Sequence, residues 1–370
     1  MTMDLGLFMQ PIHNPKKLSV TEMFDQDREA ALYVDKVGFD EIFVGEHYTA
    51  ELEPITNPLQ FLASIMAETK MRLGTGVINM PIHHPAHLAG DIALLDHMSK
   101  GRFIMGVGPG GTATDAELFG SYGKNNLEML QESVEIIHEI WSTGAPYRIK
   151  GKYWEVKVDE ARLPQFGFGP MMKPYQKPFP PIVISLLSPN SKSGQLAGEK
   201  GWQIMSANFA QAKWVKTHWD QFLIGCEKAG RRPDRKDWRI ARSILVADSD
   251  QAAADYLADK DNSYHYYFDI EMQIMKSYKI AGVLKADETM PDYQLTADYC
   301  VDTMVISGSA KTVLDKLVDF VDFMGGPFGG LTLCFKEWDK PEVHKRSIRL
   351  LAEQVMPELR KYCNQKAAAE

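Results

Sequence analysis

The stretch Arg72–Gly108, RLGTGVINMPIHHPAHLAGDIALLDHMSKGRFIMGVG, decides the fold. It opens on a strand, RLGTGVINM (Arg72–Met80), and passes through a helical pattern from about Pro85 to Ser99. It closes on a second strand, RFIMGVG (Arg102–Gly108). A strand, a helix and a strand in that order make a parallel βαβ unit with its crossover on the outside.

The same beat runs outward in both directions. Upstream lie DLGLFMQ (Asp4–Gln10), a helix from Met23 to Val37 that stops at Gly38, and EIFVGEH (Glu41–His47). Another helix opens at Asn57-Pro58, a cap followed by proline at the first helical position. Downstream, a helix from Asn126 to Trp141 completes the first half. An excursion from Ser142 to Pro180, rich in Pro, Gly and aromatics, follows it and holds a small hairpin around Tyr147–Val156. The beat resumes with IVISLL (Ile182–Leu187), a helix Ser191–Lys200, WQIMSAN (Trp202–Asn208), a helix Ala212–Ala229 and RIARSILVA (Arg239–Ala247). A second excursion, Lys260 to Asp302, is dense in tyrosine and methionine. A helix from about Ala310 to Met324, the strand GLTLCF (Gly330–Phe335) and a helix Pro341–Cys363 end the pattern, and Lys366–Glu370 reads as a frayed tail.

Eight strands, each followed by helical material, favour a closed barrel over an open doubly wound sheet. The expected fold is therefore α/β: one (β/α)8 TIM-barrel domain over residues 1–370. Its insertions, about 142–180 and 260–302, follow strands four and seven, on the βα connections where such barrels carry their chemistry.

A formal net charge of −8 argues against a nucleic-acid partner, which selects a basic stripe. No run of about 18 or more apolar residues offers a membrane span. Met1–Phe8 carries no basic leader, so no secretory signal is expected. Cys226, Cys300, Cys334 and Cys363 are scattered without a CxxC pair, which fits reduced thiols and a cytoplasmic setting.

Four clusters bear on chemistry. Gly106-Val107-Gly108-Pro109-Gly110-Gly111 satisfies the GxGxxG pattern, yet it follows the fourth strand, holds a proline and has no helix start at once behind it. It reads as close backbone approach to a flat ligand, with Gly108 and Gly110 as candidates, and not as a nicotinamide fingerprint. Ser188-Pro189-Asn190-Ser191-Lys192-Ser193-Gly194 surrounds a helix start with hydroxyls and an amide. It is either a phosphate site, through Ser188, Asn190, Ser191 and Ser193, or plain capping. His47 ends the second strand, where an imidazole serves as a general base or an anion stabiliser; the plainer alternative is a histidine satisfied by nearby backbone. For Glu46 two partners are open: the neighbouring imidazole or an arginine such as Arg102. His83-His84-Pro85-Ala86-His87 invites a metal, but Pro85 splits the run, and capping and packing at a helix start is the reading taken; no metal is expected. Phe8, Tyr48 and Tyr264 are candidate substrate-wall residues; the aromatic stretch Tyr264-His265-Tyr266-Tyr267-Phe268 is either a lid or substrate wall or a helix packed on the barrel. No GxSxG elbow or HExxH occurs.

Taken together these segments resemble the bacterial luciferase-like flavin monooxygenase superfamily over essentially the whole chain. Leu94-Leu95-Asp96-His97-Met98-Ser99-Lys100-Gly101-Arg102-Phe103 is similar to the family's LDxxSxGR segment. Gly38-Phe39-Asp40 with Glu46-His47 is similar to its GFD…EH pattern, Gly74-Thr75-Gly76-Val77 to its third strand, and Ala197-Gly198-Glu199-Lys200-Gly201 to the end of its fifth helix. The glycine run 106–111 with Thr114-Asp115-Ala116, and Asn190-Ser191-Lys192-Ser193, resemble the diketocamphane and limonene monooxygenase branch. Pro109 stands where luciferase has an arginine that helps hold the flavin phosphate, which shifts the phosphate work to the serine loop.

The resemblance implies reduced FMN delivered by a separate NAD(P)H:flavin reductase, O2 as co-substrate through a flavin C4a-peroxide, and a homodimer. It also implies a non-proline cis peptide at Gly76-Val77 supporting the flavin ring, and His47 as the catalytic residue. The expected reaction is oxygenation of a small apolar organic substrate, by Baeyer–Villiger insertion into a ketone or attack on a terpene. The alternatives are an F420-dependent oxidoreductase on the same barrel and a non-catalytic flavin-binding subunit.

Overall fold

The computed structural model describes residues 3–369, so the first residues of the leader reading and the last of the tail reading lie outside the described residues. In chain order the elements are β1 (Asp4–Met9), α1 (Val20–Lys36), β2 (Glu41–Val44), α2 (Pro58–Ile65), β3 (Arg72–Thr75), β4 (Ile78–Asn79), α3 (Pro85–Met98), β5 (Phe103–Gly108), α4 (Ala113–Leu118) and α5 (Asn126–Ser142). The hairpin β6 (Tyr147–Lys150) and β7 (Glu155–Val158) follows. Then come β8 (Ile182–Leu186), α6 (Lys192–Lys200), β9 (Gln203–Ser206), α7 (Ala212–Lys228), β10 (Trp238–Ala247), α8 (Asp250–Ala258) and α9 (Ser263–Ser277). The chain finishes with α10 (Ala297–Met304), β11 (Val305–Ser309), α11 (Ala310–Phe323), β12 (Gly330–Cys334), α12 (Pro341–Leu350) and α13 (Met356–Ala369).

The sheet order β10-β12-β1-β2-β3-β5-β8-β9, with β9 pairing back to β10, closes a parallel ring and makes the fold a (β/α)8 barrel. The strands form because short β-branched and apolar runs are bounded by polar caps. Helices start where the sequence provides the cap: Ser19 and Glu22 close a capping box on α1, and the Asn57 side chain accepts from Gln60 N ahead of Pro58. Among the described residues no helix is long and apolar enough to cross a membrane.

Cα packing divides the chain into two compact units, one of residues 1–42, 51–54 and 184–370, the other of residues 43–50 and 55–183. In the first, Leu5 and Leu7 of β1 stand in register with Leu331 and Leu333 of β12, all fully or nearly fully buried. A buried bidentate pair joins Arg239 of β10 to Glu41 of β2, at 2.8 and 3.1 Å, and Gln203 satisfies the remaining guanidinium edge at 2.7 Å. In the second unit, close approach is built on glycine. A Cβ on Gly106 would fall inside the carbonyl oxygen of Thr75, whose hydroxyl donates to Gly106 O and accepts from Gly106 N at 2.7 and 2.9 Å.

Several expectations needed correction. The third strand is interrupted: β3 stops at Thr75 and β4 resumes at Ile78, pairing with β5 at Val107 and Gly108. Strand β11 was missed. β12 accompanies β10 only through Arg242, and β11 takes over from Ser243 to Ala247, covering the part of a ten-residue strand that extends beyond the ring. Helices α4, α8 and α10 were also missed, being eight or nine residues or shorter and carrying little periodicity. The last helix is not continuous. A π turn at Leu351–Val355 precedes Pro357, whose ring and missing N–H disfavour a regular ladder through that point. The tail expected to fray stays helical through Ala369. The hairpin of the first excursion is present as β6–β7, with Tyr147 opposite Val158 and Ile149 opposite Val156.

Candidate active site

His47 follows the end of β2 and is fixed from two sides. Its backbone N–H donates to Ile55 O at 3.1 Å, and its Nδ1 lies 3.1 Å from Thr112 Oγ1. Burial lowers the imidazole pKa, while the carboxylates of Asp115 and Glu46 pull the other way without cancelling it. A neutral ring results, with one N–H and one lone pair, the state a proton acceptor needs.

Thr112 and Asp115 carry a T-x-x-D spacing, the signature of a capping box at a helix start. In α4 that box is not made. Thr112 forms no side-chain cap bond and stands against His47 instead. Asp115, 2 % exposed, turns back on the strand end that carries His47. It accepts from Tyr48 N at 3.2 Å, from Thr49 N at 2.8 Å and from the Thr49 hydroxyl. Both capping residues of α4 thus serve the His47 segment. Neither had been assigned a role from the sequence; the spacing was the signal, hidden by the glycine run before it.

Glu46 takes neither partner left open to it. Its carboxylate accepts from Asn79 N at 2.7 Å and from His83 Nε2 at 2.8 Å, while Asn79 Nδ2 donates to Glu46 O at 3.0 Å. Arg102 is instead spent on the carbonyls of Met66, Thr69, Met71 and Ser99. Of the remaining histidines in that run, His84 caps α3 by accepting from Ala86 N, and His87 lies 3.4 Å from Asp91 on the surface. Among the described residues no group of three or more His, Cys, Asp or Glu side chains is placed to hold a metal ion. A small cavity of about 60 Å³ beside Tyr48 is lined by Glu46, Asn57, His83 and Leu88. It has room for a water or two and not for a substrate.

Gly76-Val77 is a non-proline cis peptide, at the position the resemblance implies. Its Gly76 N–H donates to Val44 O at 2.6 Å. Gly108 closes β5 and is buried, while Gly110 is exposed, with φ +77° in the left-handed region that glycine tolerates.

The serine loop belongs to the other unit. Ser191 stands at the N-cap of α6 yet makes no side-chain cap bond, so its hydroxyl does not take up the first N–H groups of the helix. Asn190 adopts φ +53°, and its N–H donates to Thr217 Oγ1 at 2.9 Å. Ser188 O accepts from His218 Nε2 at 3.1 Å, and Ser193 lies half-buried in the first turn. Behind the loop runs a chain that sequence reasoning missed. Trp238 Nε1 donates to Ser206 Oγ at 2.9 Å, and Ser206 Oγ stands 2.9 Å from His218 Nδ1. Because Ser188 O only accepts, His218 carries its proton on Nε2 and accepts at Nδ1. Burial pushes its pKa down to about 4.

Of the wall candidates, Phe8 is 7 % exposed near the end of β1, and its carbonyl accepts from Phe335 N at 2.8 Å. Tyr48 is half-buried, edge-on to Phe119 at 4.7 Å. Tyr264 is 3 % exposed; its hydroxyl donates to Ile244 O at 2.6 Å and its ring stacks on His344.

The parallel ring of strands is that of a (β/α)8 barrel; one unit carries a histidine after the second strand, the other a serine-rich helix start after the strand Ile182–Leu186. The family model described as luciferase-like monooxygenase matches residues 3–325, and the chain belongs to that family. It is an enzyme, and its class is monooxygenase. It is 28 % identical over 359 residues to the 4-hydroxyprotoasukamycin monooxygenase of Streptomyces nodosus subsp. asukaensis, covering 95 % of this chain and 91 % of that protein. It is 28 % identical over 376 residues to the 2,5-diketocamphane 1,2-monooxygenase 1 of Pseudomonas putida, covering 97 % and 99 %. Among solved structures, it matches the oxygenating constituent of 3,6-diketocamphane monooxygenase from Pseudomonas putida, a type II Baeyer–Villiger monooxygenase in complex with FMN. That match has a TM-score of 0.87 at 26 % identity, over 97 % of this chain and 99 % of the other.

Proposed function

We propose that this chain is the oxygenating component of a two-component monooxygenase. It takes reduced FMN from a separate NAD(P)H:flavin reductase and places one atom of O2 in a small apolar organic substrate, a ketone by Baeyer–Villiger insertion or a terpene. The observation that carries the reading is His47: a half-buried imidazole after a barrel strand, its pKa lowered by desolvation, set against Thr112, with Asp115 holding the backbone that follows it. The FMN-bound relative from Pseudomonas putida supports the choice of flavin.

The residues present fit that cofactor. The uncapped start of α6 offers N–H groups and the positive end of a nine-residue helix, which suits a phosphate. Ser188, Asn190, Ser191 and Ser193 would hold it there. The backbone of Gly76-Val77, Gly108 and Gly110 would border the ring. When bound, the reduced flavin supplies the electrons that activate oxygen. The chain supplies the rest. His47 holds or removes a proton at the activated oxygen. Phe8, Tyr48 and Tyr264 would be the aromatic residues that face an apolar substrate and keep out water. A cytoplasmic homodimer completes the proposal.

Anaerobic titration with reduced FMN and with reduced riboflavin tests the phosphate assignment. Replacing both Ser191 and Ser193 by alanine is expected to weaken FMN about tenfold to a hundredfold and to leave riboflavin unchanged. Equal loss for the two flavins, or a wild-type chain that takes F420 in preference to both, would refute it.

A further inference from the structure

Strand β12 ends in Cys334, and Lys336 lies two residues on. Extended backbone sends residues i and i+2 to the same side. Lys336 Nζ comes to 3.0 Å from Cys334 Sγ, and the two residues are 2 % and 1 % exposed. Helix α9 covers the pair: Nζ sits 3.5 Å from the centroid of the Tyr267 ring, and the phenol oxygen is 3.8 Å from Sγ. Glu271 lies on the same helix. Burial pushes its carboxyl up to about 8, with Lys336 pulling the other way. Burial also lowers the Lys336 ammonium pKa, which raises the share of nucleophilic free amine. A hydrophobic side chain at either position would pack here without any of these polar groups. The cluster has no part in the chemistry assigned to His47.

We propose that Cys334 and Lys336 form an oxidisable pair that closes a reversible sulfur–nitrogen crosslink when hydrogen peroxide reaches it. In the first step the Cys334 sulfur attacks peroxide, the O–O bond breaks, and sulfenic acid and one water form. In the second the lone pair of Nζ attacks that sulfur, the S–O bond breaks, and the departing oxygen takes a proton from nitrogen to leave as a second water. Sulfur gives up two electrons, peroxide accepts them, and the side chains together lose two hydrogens. A sulfenic acid with no neighbouring nucleophile proceeds to sulfinic acid, which is not readily reversed; an amine 3.0 Å away captures it first. Peroxide forms wherever activated oxygen is lost instead of transferred, so the physiological oxidant rests on the oxygenase reading. The pair's chemistry does not. The crosslink takes the charge of Lys336 off the face of Tyr267 and so alters how the second excursion is held.

The test is peptide mapping of the full-length chain after treatment with hydrogen peroxide. The expected result is a peptide spanning Cys334 and Lys336 that has lost two hydrogens and resists trypsin after Lys336, both reversed by dithiothreitol. Cys226, Cys300 and Cys363, also buried, serve as internal controls and stay reduced; burial pushes the Cys300 and Cys363 thiols up to about 12 and about 11. In Lys336→Gln the crosslink disappears and Cys334 advances to sulfinic acid. The wild-type map stands even if that variant fails to fold. Two results overturn the proposal: a Cys334 that remains a thiol while surface methionines oxidise, or one that reaches sulfinic acid with Lys336 still open to trypsin. If the crosslink forms with added peroxide but no oxygenase activity is found, the oxygenase reading fails and the pair survives.

Discussion

His47 Nδ1 and Thr112 Oγ1 stand 3.1 Å apart, which ties the end of the second barrel strand to the loop after the fourth. The contact selects one orientation for a ring that burial keeps neutral. Replacing His47 by asparagine is expected to lower kcat by ~10²–10⁴-fold with flavin affinity nearly intact. Thr112→Val should move kcat in the same direction by less, and Thr112→Ser should restore it. Steady-state kinetics with a flavin titration on each variant separates these outcomes; an unaffected His47→Asn enzyme would remove the histidine from the mechanism.

Asp115 acts on the same segment through backbone. Its carboxylate satisfies the N–H groups of Tyr48 and Thr49, and Asp115→Ala leaves both without that acceptor. A loss of about 1–3 kcal/mol follows, measurable by urea unfolding. Asp115→Asn keeps much of the shape and drops the charge that holds up the His47 pKa. The limb of the kcat/KM profile that reports His47 should therefore move to lower pH. No movement would place Asp115 in a purely structural role.

His218 predicts an acid dependence of stability. Its folded pKa of about 4 lies below the ordinary 6.5, so the native state favours the neutral ring. That contribution is fully present above about 6.5, is lost as pH falls towards about 4, and reaches about 3 kcal/mol in all. His218→Gln keeps a donor for Ser188 O and cannot titrate. Comparing urea midpoints of the two proteins between pH 7 and pH 4 should show a steeper decline in the parent; parallel declines would contradict it.

The barrel was legible because its strands are apolar runs with long crossovers between them, and Asn57-Pro58 or Gly38 mark helix ends by local chemistry alone. His47, the glycine run and the serine loop could be picked out because their residue types are unusual at strand ends. What could not be read depends on pairing across the chain. The contacts of Glu46 with Asn79 and His83 are side-chain choices among several polar neighbours. The Trp238–Ser206–His218 chain joins three elements that no spacing connects. Strand β11 exists because β10 is longer than the ring requires, which is a property of the closed sheet and not of the VISGS segment. The T-x-x-D spacing of Thr112 and Asp115 went unread, so the helix start at Ala113 right behind the glycine run was missed, and the diversion of both side chains to the His47 segment leaves no mark in the sequence.

Product mass from heavy-labelled O2 tests the central claim most directly, with the chain, FMN, NADH and a generic flavin reductase acting on a panel of cyclic ketones and terpenes. One labelled oxygen atom per product molecule is predicted, lost without FMN and sharply reduced in His47→Asn. Unlabelled product, or substrate turned over without oxygen when F420 replaces FMN, would contradict it.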